Sequence, residues 1–211
     1  GRLMQSLPAG GAMLAVMAAP LQIEALLAIR DALPALAIAA VNGPASTVLS
    51  GPLDEIERAA TALAAAGIRA SRLTVSHAFH SALMEPILAE FAAVAATVTY
   101  APPQIPLVTN RTGRNADGMA AADNVATPEY WVQQLREPVQ FARGLQTLVE
   151  KGCNVLLEIG PKPVLIGMGQ QTYDGLHAPA DLLWLASLQP PQDDREIWRA
   201  QTWLQADEQH S

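Results

Sequence analysis

The chain has 211 residues, 50% of them hydrophobic and 16% charged, which is enough apolar material for one large domain or for a domain carrying a smaller insert. A net charge of −7, with 13 Lys and Arg residues scattered rather than clustered, argues against a surface built to hold nucleic-acid phosphates. One cysteine rules out an intrachain disulfide and fits a reducing, cytoplasmic setting, and no apolar run has the length and freedom from charge of a membrane span.

The first residues, GRLMQSLPAGGAM, lack the apolar core of a signal peptide and read as the end of a helix. GAMLAVMA (11–18) predicts a strand, and Pro20 opens a helical pattern over 20–33. LAIAAVNGP (36–44) and STVLSGP (46–52) predict two strands, each closed by turn residues. DEIERAATALAAAG follows, with Asp54 and Glu57 spaced like a capping box and Gly67 as the stop. IRASRLTV (68–75) alternates like a strand. Residues 11–75 thus run β-α-β-β-α-β, the order of a ferredoxin-like split unit.

Beyond His80 the period becomes helical. Leu83, Ile87, Leu88, Phe91 and Val94 share one face over 82–98, with Pro86 in or just before the first turn. IPLVTN (105–110) predicts a strand, and 127–141 with the following ARGLQTLVEKG predicts helices broken near Pro138. NVLLEIGP (154–161) predicts a buried strand, KPVLIGMGQQTY a helix and LLWLASL (182–188) a last strand. The remaining tail is polar, with one amphipathic segment.

The chemistry concentrates in TVSHAFHSALMEP, where His77 and His80 stand three residues apart at a strand-to-helix corner. As metal ligands they lack company: His177 and His210 sit in polar loop or tail sequence, and Cys153 precedes an apolar strand that predicts packing. As ordinary histidines they would be hydrogen-bonded at the corner. As a general base, one of them sits where a loop presents side chains to a cleft, with a side chain that titrates near working pH. A base needs a nucleophile, and no Gly-x-Ser-x-Gly elbow occurs in the chain.

The segment VSHAFHSALMEPI resembles the acyltransferase domains of modular type I polyketide synthases and the related malonyl-CoA:acyl-carrier-protein transacylases. GRLMQ, GAMLAV, VNGP with TVLSGP, PLVTNRTG, YWVQQLREPVQF and LLEIGPKPVLIGM extend the resemblance, in the same order, to about residue 188. It implies an α/β fold with an α/β-hydrolase-like large subdomain and an inserted ferredoxin-like small one. Residues 1–10 would end a helix of the large subdomain, 11–75 form the insert, 76–188 complete the large subdomain and 189–211 form a linker.

The resemblance implies transfer of malonyl from malonyl-CoA to the phosphopantetheine thiol of an acyl carrier protein, by a serine and a histidine in turn. His80 would be that histidine, with the backbone carbonyl of Gln134 orienting its ring. The tetrad HAFH accompanies malonyl selection in these synthases, so His77 and Phe79 would line the acyl pocket, and Asn42 aligns with a pocket position that serves equally as a strand-end turn residue. No bound cofactor or metal is implied. The partners would be the carrier protein, malonyl-CoA and neighbouring synthase domains, a ketosynthase upstream, with neither nucleic acid nor membrane. In that family the serine elbow, the arginine that pairs with the malonyl carboxylate and the oxyanion loop all precede the position of Gly1; Arg2 is a helical neighbour about 100° around and no substitute. A non-catalytic scaffold or carrier-docking module and a free-standing transacylase of fatty-acid synthesis are the competing readings.

Overall fold

The structure, a computed structural model, describes residues 1–27, 32–116, 124–174 and 182–188. His177, His210 and the polar tail lie outside the described residues. The chain divides into two compact units, Gly1–Lys151 and Gly152–Ser211.

The first unit is built on an antiparallel sheet. Strands β1 (Gly11–Val16), β2 (Ala37–Gly43), β3 (Ser46–Pro52) and β4 (Ala70–Arg72) lie in the order β2-β3-β1-β4. Helix α1 (Arg2–Gln5) precedes the sheet, α2 (Pro20–Leu27) joins β1 to β2, and α3 (Leu53–Ala65) joins β3 to β4. That connectivity and order are those of a split β-α-β unit. Strand alternation sorts the core. Ala12, Leu14 and Val16 of β1 pack with Leu49 against Ile23 and Leu27 of α2 and Ile56, Ala59 and Leu63 of α3. Met13 points the other way, into a cluster with Ala39 and Val48, and Phe79 packs on that second face.

Local signals account for the helix ends. α3 stops at a complete Schellman motif: Gly67 has φ 73°, its N–H reaches the Ala64 carbonyl at 3.0 Å, and Ile68 N–H reaches the Leu63 carbonyl at 2.9 Å. Its start differs from the capping box expected at Asp54. Pro52 is the N-cap, with no side-chain cap bond, because β3 runs directly into the helix and the Gly10 carbonyl takes the Leu53 N–H at 2.9 Å. After β4 come a 3₁₀ turn at Ala82–Met84 and helix α4 (Glu85–Ala95), with Pro86 in the first turn. Helices α5 (Pro128–Arg136) and α6 (Phe141–Glu150) flank Pro138, where the sequence placed the break. Leu7, Met84, Ile87 and Leu135 form the core under these helices, joined by Phe79 and Phe91.

Between α5 and α6 the chain zips onto the open edge of β2. Val139 forms a parallel bridge with Ala40, donating to the Ala39 carbonyl at 2.8 Å and accepting from Val41 N–H at 2.9 Å. This pairs an edge that would otherwise present free backbone groups.

Residues 105–110 form no strand. A single bridge, Val108 to Asn115, folds the segment back on itself, and Ile105 is 77% exposed, because no strand among the described residues runs beside it. β4 is three residues long rather than eight for a related reason: only Leu14–Val16 of β1 faces it.

In the second unit β5 (Val155–Glu158) pairs in parallel with β6 (Leu183–Ala186), and α7 (Val164–Asp174) follows β5. The Glu158 carboxylate accepts the N–H groups of Val164, Leu165 and Ile166 at 3.0, 3.0 and 2.9 Å, which anchors the start of α7 to the end of the strand. Gly169 lets α7 lie close to Trp184, whose ring would stand 2.5 Å from a Cβ at that position. β5, expected to be buried, leaves Leu157 55% exposed, since β6 is its only paired neighbour among the described residues. Cys153, expected to pack, is an exposed free thiol. No helix among the described residues is long and apolar enough to cross a membrane.

Candidate active site

The HAFH loop leaves β4 and runs across the sheet face opposite α2 and α3. Three of its residues are fixed by packing. Ala78 is 1% exposed and sits against Gly11, where any Cβ would stand 2.5 Å from the Ala78 nitrogen. Phe79 belongs to both the cluster on the sheet face and the cluster under α4 and α5, so it locks the loop between them. Ser81 is fully buried; its hydroxyl donates to the Ala78 carbonyl at 2.7 Å and accepts Leu83 N–H at 3.2 Å, closing the loop into the 3₁₀ turn.

The two histidines have different hydrogen-bond partners. His77 is 7% exposed; its Nε2 lies 3.2 Å from the Leu7 carbonyl and its Nδ1 2.9 Å from Ser76 Oγ. A carbonyl only accepts, so Nε2 carries the proton and, in the neutral ring, Nδ1 accepts from Ser76. Both nitrogens are consumed, Nε2 in tying the loop to the chain that leaves α1 and Nδ1 in the contact with the neighbouring Ser76. His80 is the reverse. Its Nδ1 lies 2.8 Å from the Glu137 carbonyl, so Nδ1–H is the donor and the lone pair stays on Nε2. A neutral imidazole held this way can take a proton at Nε2.

His80 also has φ 57°, the one non-glycine residue among those described with a positive φ. Such backbone costs about 1–3 kcal/mol, and here packing on both sides and the bond to Glu137 hold it. Burial holds the His80 imidazole below its ordinary 6.5, opposed in part by the Glu137 carbonyl and then by that of Gln134, both of which favour the protonated ring. The base form therefore prevails at neutral pH.

The orienting carbonyl was expected at Gln134. The short bond goes instead to Glu137, with Gln134 as a lesser backbone partner. Pro138 explains both. It has no N–H, so the Gln134 carbonyl lacks its helical donor and stays open. It also forces the residue before it out of the helix: Glu137 has φ −84° and ψ 158°, which swings its carbonyl off the helix axis. The Glu137 side chain is held too, by Arg111 Nη1 at 2.6 Å. The RE-P pattern was the signal that could have located Glu137; Arg111, Gly11 and Ser81 lie in segments that carry the resemblance, but nothing in the sequence gave them a role.

Asn42 lies at the end of β2, one residue beyond the Val41 hydrogen bond to Val139, and thus beside the segment that carries Glu137. The structure brings His77, Phe79, His80, Gln134 and Glu137 together.

The chain matches the family model described as acyl transferase domain over residues 1–210. It is 43% identical over 175 residues to polyketide synthase GfsB of Streptomyces halstedii, covering 82% of this chain and 3% of that protein. It is 39% identical to the crystal structure of the acyltransferase domain from the second module of the salinomycin polyketide synthase, with a TM-score of 0.81, covering 95% of this chain and 44% of that one. A malonyl-transacylase solved with its type II polyketide acyl-carrier protein, PlMCAT with AntF, is 29% identical with a TM-score of 0.74, over 88% of this chain and 58% of that one. The chain thus spans a small part of the curated relative and under half of the salinomycin domain.

Proposed function

The chain belongs to the acyl transferase domain family of type I polyketide synthases, and on that premise we propose that it supplies the general base and the acyl-selecting loop for moving a malonyl group from malonyl-CoA to the phosphopantetheine thiol of an acyl carrier protein. The observation that carries this reading is the 2.8 Å bond from His80 Nδ1–H to the Glu137 carbonyl, which leaves Nε2 as a lone-pair base. In the first half-reaction a serine Oγ attacks the malonyl thioester carbonyl and His80 Nε2 accepts the hydroxyl proton. The C–S bond then breaks, and the same proton leaves with CoA as its thiol. In the second half His80 takes the proton of the phosphopantetheine thiol, the thiolate attacks the serine ester, and the proton returns to serine.

The serine belongs to a Gly-His-Ser-x-Gly elbow that these 211 residues do not contain. The resemblance implies that the arginine pairing with the malonyl carboxylate and the oxyanion loop are likewise supplied from outside these 211 residues. His77 and Phe79 act on acyl choice through shape. His77 is pinned at both nitrogens and so sets the loop's path, and Phe79, with ring centroid 6.1 Å from that of His77, occupies volume that an α-methyl would need. A carrier protein is the natural acceptor, as in the PlMCAT complex.

The test is competition between malonyl-CoA and methylmalonyl-CoA for a domain that joins this chain to its serine elbow, read by mass spectrometry of the acyl-enzyme. Malonyl should dominate by about 10–200-fold, the range one methyl commands in a pocket. Equal loading of both would overturn the selectivity, and no adduct on serine would overturn the reaction.

A further inference from the structure

Two main-chain carbonyls face His80, those of Glu137 and Gln134; the side chain of the first is reached from the loop that carries Arg111, and that of the second from Tyr130 on α5, which itself faces that loop. Arg111 Nη1 donates to Glu137 Oε2 at 2.6 Å, and the Tyr130 hydroxyl donates to Gln134 Oε1 at 3.4 Å. Tyr130 is itself 4% exposed and faces the Thr109 hydroxyl and Arg111. The loop is braced: Thr109 N–H reaches the Arg114 carbonyl at 2.9 Å, Gly113 N–H reaches the Thr109 carbonyl at 2.8 Å, and Gln140 N–H reaches the Asn110 carbonyl at 2.7 Å. Gly113, at φ 64°, allows this loop to lie against Arg143, whose Cβ would stand 2.6 Å from a Cβ at 113. The Arg111 side chain is only 11% exposed, so its guanidinium is a planted group and not a waving surface charge.

From this geometry we propose that Arg111 is a positioning residue for the base: by gripping the Glu137 carboxylate it holds the Glu137 carbonyl on His80 Nδ1–H and so keeps the lone pair on Nε2. Glu137 is the first residue past α5; its N–H still reaches the Gln133 carbonyl at 2.8 Å, but at ψ 158° its own carbonyl points off the helix, and the Arg111 grip acts with that bond and the Val139 bridge to β2 to restrain the turn of that carbonyl. An imidazole freed from that carbonyl shifts toward the Nε2–H form, which cannot take a proton at Nε2. The proposal rests on the assignment of His80 as base, but its test does not depend on turnover.

The measurement is the long-range 1H–15N imidazole spectrum of the full-length protein at pH 8, where the tautomer is read directly. His77 provides an internal standard of opposite tautomer. In the wild type, Nδ1 of His80 should resonate as the protonated nitrogen and Nε2 as the bare one. In Arg111→Met and in Glu137→Gln, both His80 nitrogens should move toward each other's positions while those of His77 stay. The double variant should move them no further than either single one, and Arg111→Lys should restore part of the wild-type pattern. Unmoved His80 nitrogens in either single variant, with the amide spectrum otherwise preserved, overturn the proposal. Should Arg111→Met fail to fold, Glu137→Gln decides with the same two outcomes. A His80→Ala variant that kept full acyl transfer would refute the base assignment while leaving the tautomer result standing, so the two failures are distinguishable.

Discussion

His77 and His80 are three residues apart and hold their protons on opposite ring nitrogens, which assigns them separate work. His77→Ala should cost stability, about 1–3 kcal/mol for two lost buried hydrogen bonds, seen as a lower thermal midpoint. His80→Ala should cost less, about 0.5–1.5 kcal/mol for its one bond to the Glu137 carbonyl. The pH dependence follows from burial holding His80 below 6.5. The folded chain binds fewer protons here than the unfolded chain between the lowered value and 6.5, so stability from this group is full above 6.5 and declines as the pH falls through that window. The rate should follow the same sign: the base is active when unprotonated, so the acid limb of kcat/KM should fall below 6.5 and not above it. A pH–rate profile whose acid limb begins above 7 would contradict this. The sequence pointed to this corner because a strand-to-helix loop presents side chains to a cleft and a histidine there titrates near working pH. It did not show which carbonyl orients the ring, since the relevant fact is the backbone turn before Pro138 and not the identity of any side chain. The Arg111 contact was equally hidden: it spans 26 positions, and no local pattern in the sequence pairs the two residues.

At the level of elements, the HAFH loop is positioned by what lies behind it. Gly11 begins β1 and has no side chain where Ala78 needs the room. Gly11→Ala should push the loop off the sheet, destabilise the first unit by about 1–3 kcal/mol and lower acyl transfer together, because the clashing atom is backbone and cannot rotate aside. Differential scanning calorimetry and an initial-rate assay would check both; a variant as stable and as fast as wild type would show that the loop does not depend on this contact. Elements whose signals are local were readable. The Schellman stop at Gly67, the proline starts of α2 and α4 and the break at Pro138 all follow from residues within a turn of the feature. Elements whose existence depends on a partner were not. The apolar run at 105–110 has strand composition, but a strand needs a neighbour to pair with, and the nearest is its own continuation at Asn115. The same holds for Asp54: its capping-box spacing is sound, yet Gly10, far along the chain, already satisfies the first helical N–H.

Across the whole molecule, the β-α-β-β-α-β segment forms the platform, the helices after it carry the orienting carbonyls, and the Val139 bridge joins the two by extending β2. His80 and the groups that hold it are therefore all contributed by Gly1–Lys151. The order of elements made the platform legible, because hydrophobic period and turn residues recur there at short range. The assembly of 77–80 with 134–140 was legible only through resemblance to a family. Without a Gly-x-Ser-x-Gly elbow, the 211 residues should gain no acyl group on any serine when incubated with malonyl-CoA; a stable malonyl adduct on one of them would refute the division of labour proposed above. The central claim is that His80 is the base. It is tested most directly by the rate of acyl-enzyme formation from malonyl-CoA in a domain that joins this chain to its serine elbow, wild type against His80→Ala. A fall of about 10²–10⁴-fold, with the thermal midpoint lowered by less than in His77→Ala, is the expected result; an undiminished rate in the variant would contradict it.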